Sequence, residues 1–401
     1  MNLTAAKNQL EELLNEPVSS VIHREQSTFD ELTTPFEKSL VLFGAGGLGQ
    51  KTLVGLRRLG IEPLAFTDND PSKWGREING IKVFSPQKAV EEFGQNAAFV
   101  VTIWKAKSLD RMAERRQQLL DLNCGKVVPF GYLFWKYPEI FLPHYALDLP
   151  HYVILHADEV RNAFSLWADA ASQQEYLAQI RWRIWMDFDI LPSPVSHEIY
   201  FPDDLVRIKP DDVFVDCGAY DGDTIRNLIH NQGDSIKKII AFEPDPANFQ
   251  KLQRFALSLP IKNRKRLSFY QVAIGAKKGK VQFEATGTES SSIGSGNLEV
   301  DCIFLDEILI KETPTFIKMD IEGSEIDALV GAQNIIRNEQ PILAISAYHH
   351  QDHIWRIPSL IRSFSDQYLF FLRPHYLEVW DLVCYAIPFS RLIAKQLLNN
   401  E

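Results

Sequence analysis

The chain has little cysteine: four residues in 401, at Cys124, Cys217, Cys302 and Cys384. No two of them stand at zinc-site spacing, and a scattered set of four gives no disulfide framework. Cys217 and Cys302 fall in apolar runs, which suits buried, reduced thiols. Long apolar stretches are also missing. None reaches the roughly 20 residues that a membrane helix needs, so no membrane span is expected. The segment Met1 to Pro17 is polar and acidic, not basic and then apolar. It does not read as a signal peptide, and a cytoplasmic location is expected. Basic charge is in deficit, with 42 Lys and Arg against 52 Asp and Glu for a net charge of −10. That argues against a nucleic acid or an anionic membrane as the main partner. The local basic run Lys262 to Arg266 reads as a solvated turn.

What is present is ordinary for a globular protein, 45% hydrophobic and 23% charged. The length allows two domains, each with its own core. Leucines and alanines at helical spacing make Leu3 to Leu14 an amphipathic helix. Apolar strands at Ser39–Phe43, Pro63–Thr67, Ile81–Phe84 and Ala98–Ile103 alternate with helical stretches, which predicts a small parallel sheet. A second series starts at Val213–Val215. It continues through Ile239–Phe242, Leu267–Ala273, Phe316–Met319 and Ile342–Ser346, and Tyr368–Leu372 and Val379–Ile387 close it as an antiparallel hairpin. The fold class is therefore α/β, with two Rossmann-like domains. Residues 1–35 read as a leader helix, 36–135 as a small Rossmann-like domain, 136–205 as a helical linker and 206–401 as the second α/β domain.

Each series opens on a glycine turn, and the two turns differ in charge. The first, Gly44-Ala45-Gly46-Gly47-Leu48-Gly49-Gln50-Lys51, has no acid. The second, Asp216-Cys217-Gly218-Ala219-Tyr220-Asp221-Gly222-Asp223-Thr224, has three. Glycine-opened N–H groups at a helix start attract a pyrophosphate, and three carboxylates repel one. A ligand with a sulfonium and an ammonium fits the second turn better, which points to S-adenosylmethionine. Thr224 or Asp223 can cap the following helix. Glu243, stiffened by Pro244 and followed by Asp245, closes the second strand where a carboxylate receives two ribose hydroxyls. Ala273 follows the third strand at an apolar edge suited to adenine.

Three segments carry a resemblance: Phe214 to Thr224, Phe242-Glu243-Pro244-Asp245-Pro246 and Ile317-Lys318-Met319-Asp320-Ile321-Glu322-Gly323-Ser324-Glu325. Over about Tyr200 to Pro388 the chain resembles the FkbM-like family of S-adenosylmethionine-dependent methyltransferases. The resemblance implies a seven-stranded class I methyltransferase sheet with its last strand antiparallel. It also implies methylation of hydroxyls on sugars, polyketides and related natural products. Ser290-Ser291-Ser292 is similar to a serine-containing loop of that family.

Methyl transfer to an alcohol is an in-line displacement aided by a base or a metal. Asp320, at the end of the fourth strand, is the first candidate base. Glu322 follows it in the turn, and His349 after the fifth strand can reach the same mouth. Glu325 fits helix capping better than catalysis. Asp320, Glu322 and His349 could also hold Mg²⁺. His353 and Trp355 are read as packing. The acceptor is expected to be a small molecule or a glycan. In the first domain Gly44, Gly46, Gly49 and Asp68 fit a dinucleotide pattern, open to a nucleotide, a nucleotide sugar or simple packing. Two rival readings are an NAD-dependent sugar oxidoreductase or epimerase, and a non-catalytic nucleotide-binding protein. The first would need a Tyr-x-x-x-Lys pair, which the first half lacks.

Overall fold

The computed structural model describes residues 3–108, 110–232, 236–288, 291–294, 296 and 298–393. It forms two compact units that interleave along the chain. One comprises Met1–Ala157, Leu177–Pro194 and Tyr376–Trp380, and the other Asp158–Tyr176, Val195–His375 and Asp381–Glu401. The sequence had suggested consecutive blocks. The short excursions at 177–194 and 376–380 carry no compositional break that would mark them.

The first unit holds a six-stranded sheet. Its strands run in the order Glu77–Ile78, Ile81–Phe84, Ala65–Thr67, Leu40–Phe43, Ala98–Val101, Val127–Pro129. Only the Glu77–Ile78 edge pairs antiparallel. Leu40–Phe43 is buried throughout, as a central parallel strand covered on both faces should be. The leader is two helices, Leu3–Leu14 and Val18–Thr33, where one was expected.

The second unit is built on a seven-stranded sheet. We number its strands β1 (Val213–Cys217), β2 (Lys238–Phe242), β3 (Leu267–Tyr270), β4 (Phe316–Met319), β5 (Ile342–Ser346), β6 (Tyr368–Pro374) and β7 (Leu382–Pro388). Their order is β6-β7-β5-β4-β1-β2-β3. β7 lies antiparallel to both β5 and β6, so the closing hairpin is as expected. β1, β4 and β5 are uninterrupted apolar runs apart from a few side chains, because helices cover both faces. Phe214 and Phe316 meet edge-to-face at 5.3 Å beneath the sheet centre.

One sequence expectation needs correction here. Strand β3 stops at Tyr270, and Ala273–Ile274 belongs to a separate four-stranded sheet with Gly279–Glu284, Ser292–Ile293 and Leu298–Ile303. That small sheet has its own apolar cluster of Ala273, Phe283, Val300 and Cys302. Of the serine run, Ser290 lies outside the described residues. The Ser291 hydroxyl donates to Asp245 at 2.8 Å.

Candidate functional site

The carboxyl ends of β1, β2 and β4 meet at the point where the strand order reverses, the place where open sheets bind ligands. The parallel register puts Lys318 of β4 directly beside Asp216 of β1. Both side chains are buried, and Lys318 Nζ lies 3.0 Å from Asp216 Oδ1. The same ammonium donates to the Gly218 carbonyl at 2.6 Å. Burial pushes the Asp216 carboxyl up to about 6 even though Lys318 pulls it down. Asp216 is thus neutralised from below, which corrects its expected part in a three-carboxylate field. The acids left to the crevice are Asp221, Asp223 and Glu243.

The turn after β1 is tightly constrained. Gly218 has φ +83°, and a Cβ on it would stand 1.9 Å from the Asp320 carbonyl oxygen. The ends of β1 and β4 therefore touch backbone to backbone. Gly218→Ala is expected to destabilise by more than the roughly 1–3 kcal/mol of backbone strain alone. Chemical denaturation is the measurement, and a variant as stable as the parent would contradict the packing. Tyr220, at φ 46°, occupies the same left-handed region. Ala219 points into the core of the unit. Asp223 opens the helix Asp223–Gln232 and accepts the Thr224 N–H at 2.7 Å in its first turn.

Glu243 ends β2 and is 5% exposed. Its two oxygens accept the N–H groups of Tyr220 at 2.8 Å and Asp245 at 2.9 Å. Burial pushes it up to about 7 against those two hydrogen bonds. Asp245 has a different job from the one expected. One oxygen caps the helix Pro246–Ser258 through Ala247 and Asn248, and the other takes the Gly287 N–H and the Ser291 hydroxyl. Those four bonds fill its acceptor capacity and make it a loop anchor. Pro244 is half-buried beside them. The Ala273 side chain is held in the small sheet's cluster.

The three candidate catalytic residues do come together. Asp320 follows β4 with its side chain 25% exposed, and His349 Nε2 lies 3.4 Å from its Oδ1. Glu322 Oε1 is 3.7 Å from the same ring nitrogen. His349 Nδ1 is 2.9 Å from the fully buried Glu325. Burial pulls His349 down, but Glu325, Glu322 and Asp320 outweigh it and push it up to about 10. Those three acids favour its protonated form, which weighs against the free base expected from the sequence. Asp320, Glu325 and His349 place donor atoms within 4.8 Å of one another, with Glu325 where Glu322 was expected. Glu325 also accepts the Ile321 N–H at 2.9 Å, so it caps its turn as well as pairing with the histidine. Glu322 is pushed up to about 7, chiefly by burial. Trp355 is 1% exposed and packs in the core.

Two contributors escaped the sequence reading. The buried Tyr200 donates its hydroxyl to Asp320 Oδ2 at 2.8 Å, and Tyr348 approaches Oδ1 at 3.4 Å. Nothing local around Tyr200 announces a partner 120 residues away. Lys318 did leave a signal, since a lone cation inside an apolar strand needs a buried counter-charge.

In the first unit, Asp68 Oδ2 accepts the Ala45 N–H at 2.8 Å and meets Lys73 Nζ at 2.9 Å, while Oδ1 takes the Asp70 N–H. These bonds lock the glycine turn to the second strand as the Tyr220 and Asp245 N–H groups do for Glu243, but here Lys73 takes the further position on Oδ2 and only Oδ1 keeps one. Gly44 and Gly49 are set by packing, because a Cβ on Gly49 would lie 1.8 Å from the Gly44 carbonyl. A Cβ on Gly46 would meet open space.

Residues 216–377 match the family model described as methyltransferase FkbM domain. Among solved structures, the methyltransferase FkbM from Methylobacillus flagellatus KT aligns with a TM-score of 0.74 at 22% identity. The alignment covers 96% of this chain and 98% of that one. A precorrin-6y C5,15-methyltransferase from Geobacter metallireducens GS-15 aligns over 45% of this chain and 81% of its own, at 10% identity and a TM-score of 0.29. No curated protein matches the chain. The family match runs from the end of β1 through β6, so the segment similar to the methyltransferase FkbM domain lies within the seven-stranded sheet.

Proposed function

We propose that the protein moves a methyl group from S-adenosylmethionine to a hydroxyl of a sugar, polysaccharide or natural product. The observation that carries this reading is Glu243. Each oxygen of its carboxylate takes one backbone N–H and keeps a second acceptor position, as a pair of vicinal ribose hydroxyls requires. The residues fit the donor. Glu243 would hold the ribose, the Gly218-to-Gly222 backbone would line the amino-acid end, and Asp221 and Asp223 would favour a cation. Bound there, S-adenosylmethionine supplies an electrophilic methyl carbon.

Asp320 would orient the acceptor hydroxyl and take its proton as the carbon–oxygen bond forms. Tyr200 fixes the carboxylate through Oδ2. The neighbouring imidazolium of His349 balances the acids around it. This assigns the histidine an electrostatic role and the aspartate the proton transfer.

Donor binding should depend on pH with a definite sign. Glu243 sits near 7, and only its carboxylate form accepts both hydroxyls. Affinity should fall by up to about tenfold per pH unit below that value and level off above it. Calorimetry with S-adenosylmethionine from pH 5.5 to 8.5, run on the parent and on Glu243→Gln, is the test. The glutamine variant should bind weakly with a flat profile. Equal affinity in both proteins would remove the ribose assignment.

A further inference from the structure

From Pro246 to Phe283 the sequence has nine Lys and Arg residues and no Asp or Glu, in a chain whose net charge is −10. The helix Pro246–Ser258 starts at the carboxyl end of β2 and returns the chain to the amino end of β3, the edge of the sheet. The corner between them, 257–266, therefore lies at the pole of the sheet opposite the donor crevice. Two large aliphatic side chains stand out from it, Leu257 at 65% exposure and Ile261 at 67%. Arg254, Lys262, Arg264 and Lys265 are exposed around them.

Isolated exposed leucines are common and need no explanation. Here two exposed aliphatics and several exposed cations fall within one short acid-free stretch of chain. That pairing matches a lipid interface, where apolar side chains enter the acyl boundary and Lys or Arg meets anionic headgroups. A nucleic-acid surface would instead call for aromatic stacking platforms among the cations. We propose that this corner docks the protein on an anionic lipid bilayer, with the crevice directed away from the membrane.

The test is co-sedimentation of the full-length protein with vesicles of pure phosphatidylcholine and of phosphatidylcholine mixed with phosphatidylglycerol. The parent should sediment with the anionic vesicles only, and less so at high salt. Each lost cation should weaken partition by about fivefold, so Lys262→Glu/Lys265→Glu should abolish it. Leu257→Ser/Ile261→Ser, at solvent-exposed positions, should weaken it while leaving the thermal melt unchanged. Three results would overturn the proposal: no binding of the parent to anionic vesicles, binding unaffected by both double variants, or retention on single-stranded nucleic acid or an acidic polysaccharide without retention on vesicles.

Discussion

Asp320→Asn should lower turnover by about 10²- to 10⁴-fold, the range for loss of a positioned general base, and leave S-adenosylmethionine affinity unchanged. The substitution keeps the shape of the side chain and a carbonyl oxygen to accept from Tyr200, so the geometry at Oδ2 survives. It removes the ability to accept the acceptor's proton, together with the negative charge that Asp320 sets beside His349. Asp320 is singled out by access. Its side chain is 25% exposed, whereas His349 is at 2% and Glu325 at 0%, closed on each other. Steady-state kinetics on an acceptor found by screening sugar libraries, with calorimetry on the donor, separate the two effects. Full turnover in Asp320→Asn with loss in Glu322→Gln would move the base to Glu322, whose value near 7 also suits the task.

Lys318→Met should cost about 3–5 kcal/mol of stability, the usual penalty for leaving a buried charge without its partner. The pair is buried on both sides, and the register of β1 and β4 holds it in place. The sign of its pH dependence follows from Asp216. Its carboxyl stands at about 6 in the fold, above the unfolded value, so ionising it opposes folding as pH rises. Without Lys318 the folded value rises further, and because the unfolded value is common to both proteins the deficit of the variant should widen upward from about pH 6. Asp216→Asn/Lys318→Met should recover most of the loss, since neither charge is then stranded. Urea denaturation of the four proteins measures the cycle. If Lys318→Met alone is as stable as the parent, the ion pair is not holding the turn.

The sheet was legible because its central strands are buried on both faces and read as apolar runs, with β1, β2 and β4 each ended by a glycine turn or an acid. Asp216, Glu243 and Asp320 fall at those ends. What the sequence could not give was the use to which each acid is put. Asp245 and Asp68 look like ligand groups in one dimension. In the fold all four acceptor positions of Asp245 are taken, and Asp68 is held by two backbone N–H groups and the Lys73 ammonium. His349 looks like an isolated loop histidine until Glu325, 24 positions earlier, is found 2.9 Å from its ring. The small sheet was missed even though Lys280-Val281-Gln282-Phe283-Glu284 alternates as a half-buried strand should.

The hairpin β6–β7 leaves one unit at His375 and re-enters it at Asp381, and the five residues between belong with the other. There Glu378 accepts the Met112 N–H. Hence no single cut of the polypeptide yields either half intact. Cleavage near Tyr200 would deprive the methyltransferase half of Asp158–Tyr176 and the amino-terminal half of Tyr376–Trp380. Truncation is thus a poor way to dissect this molecule, and its halves are better interrogated by point substitution in the intact chain.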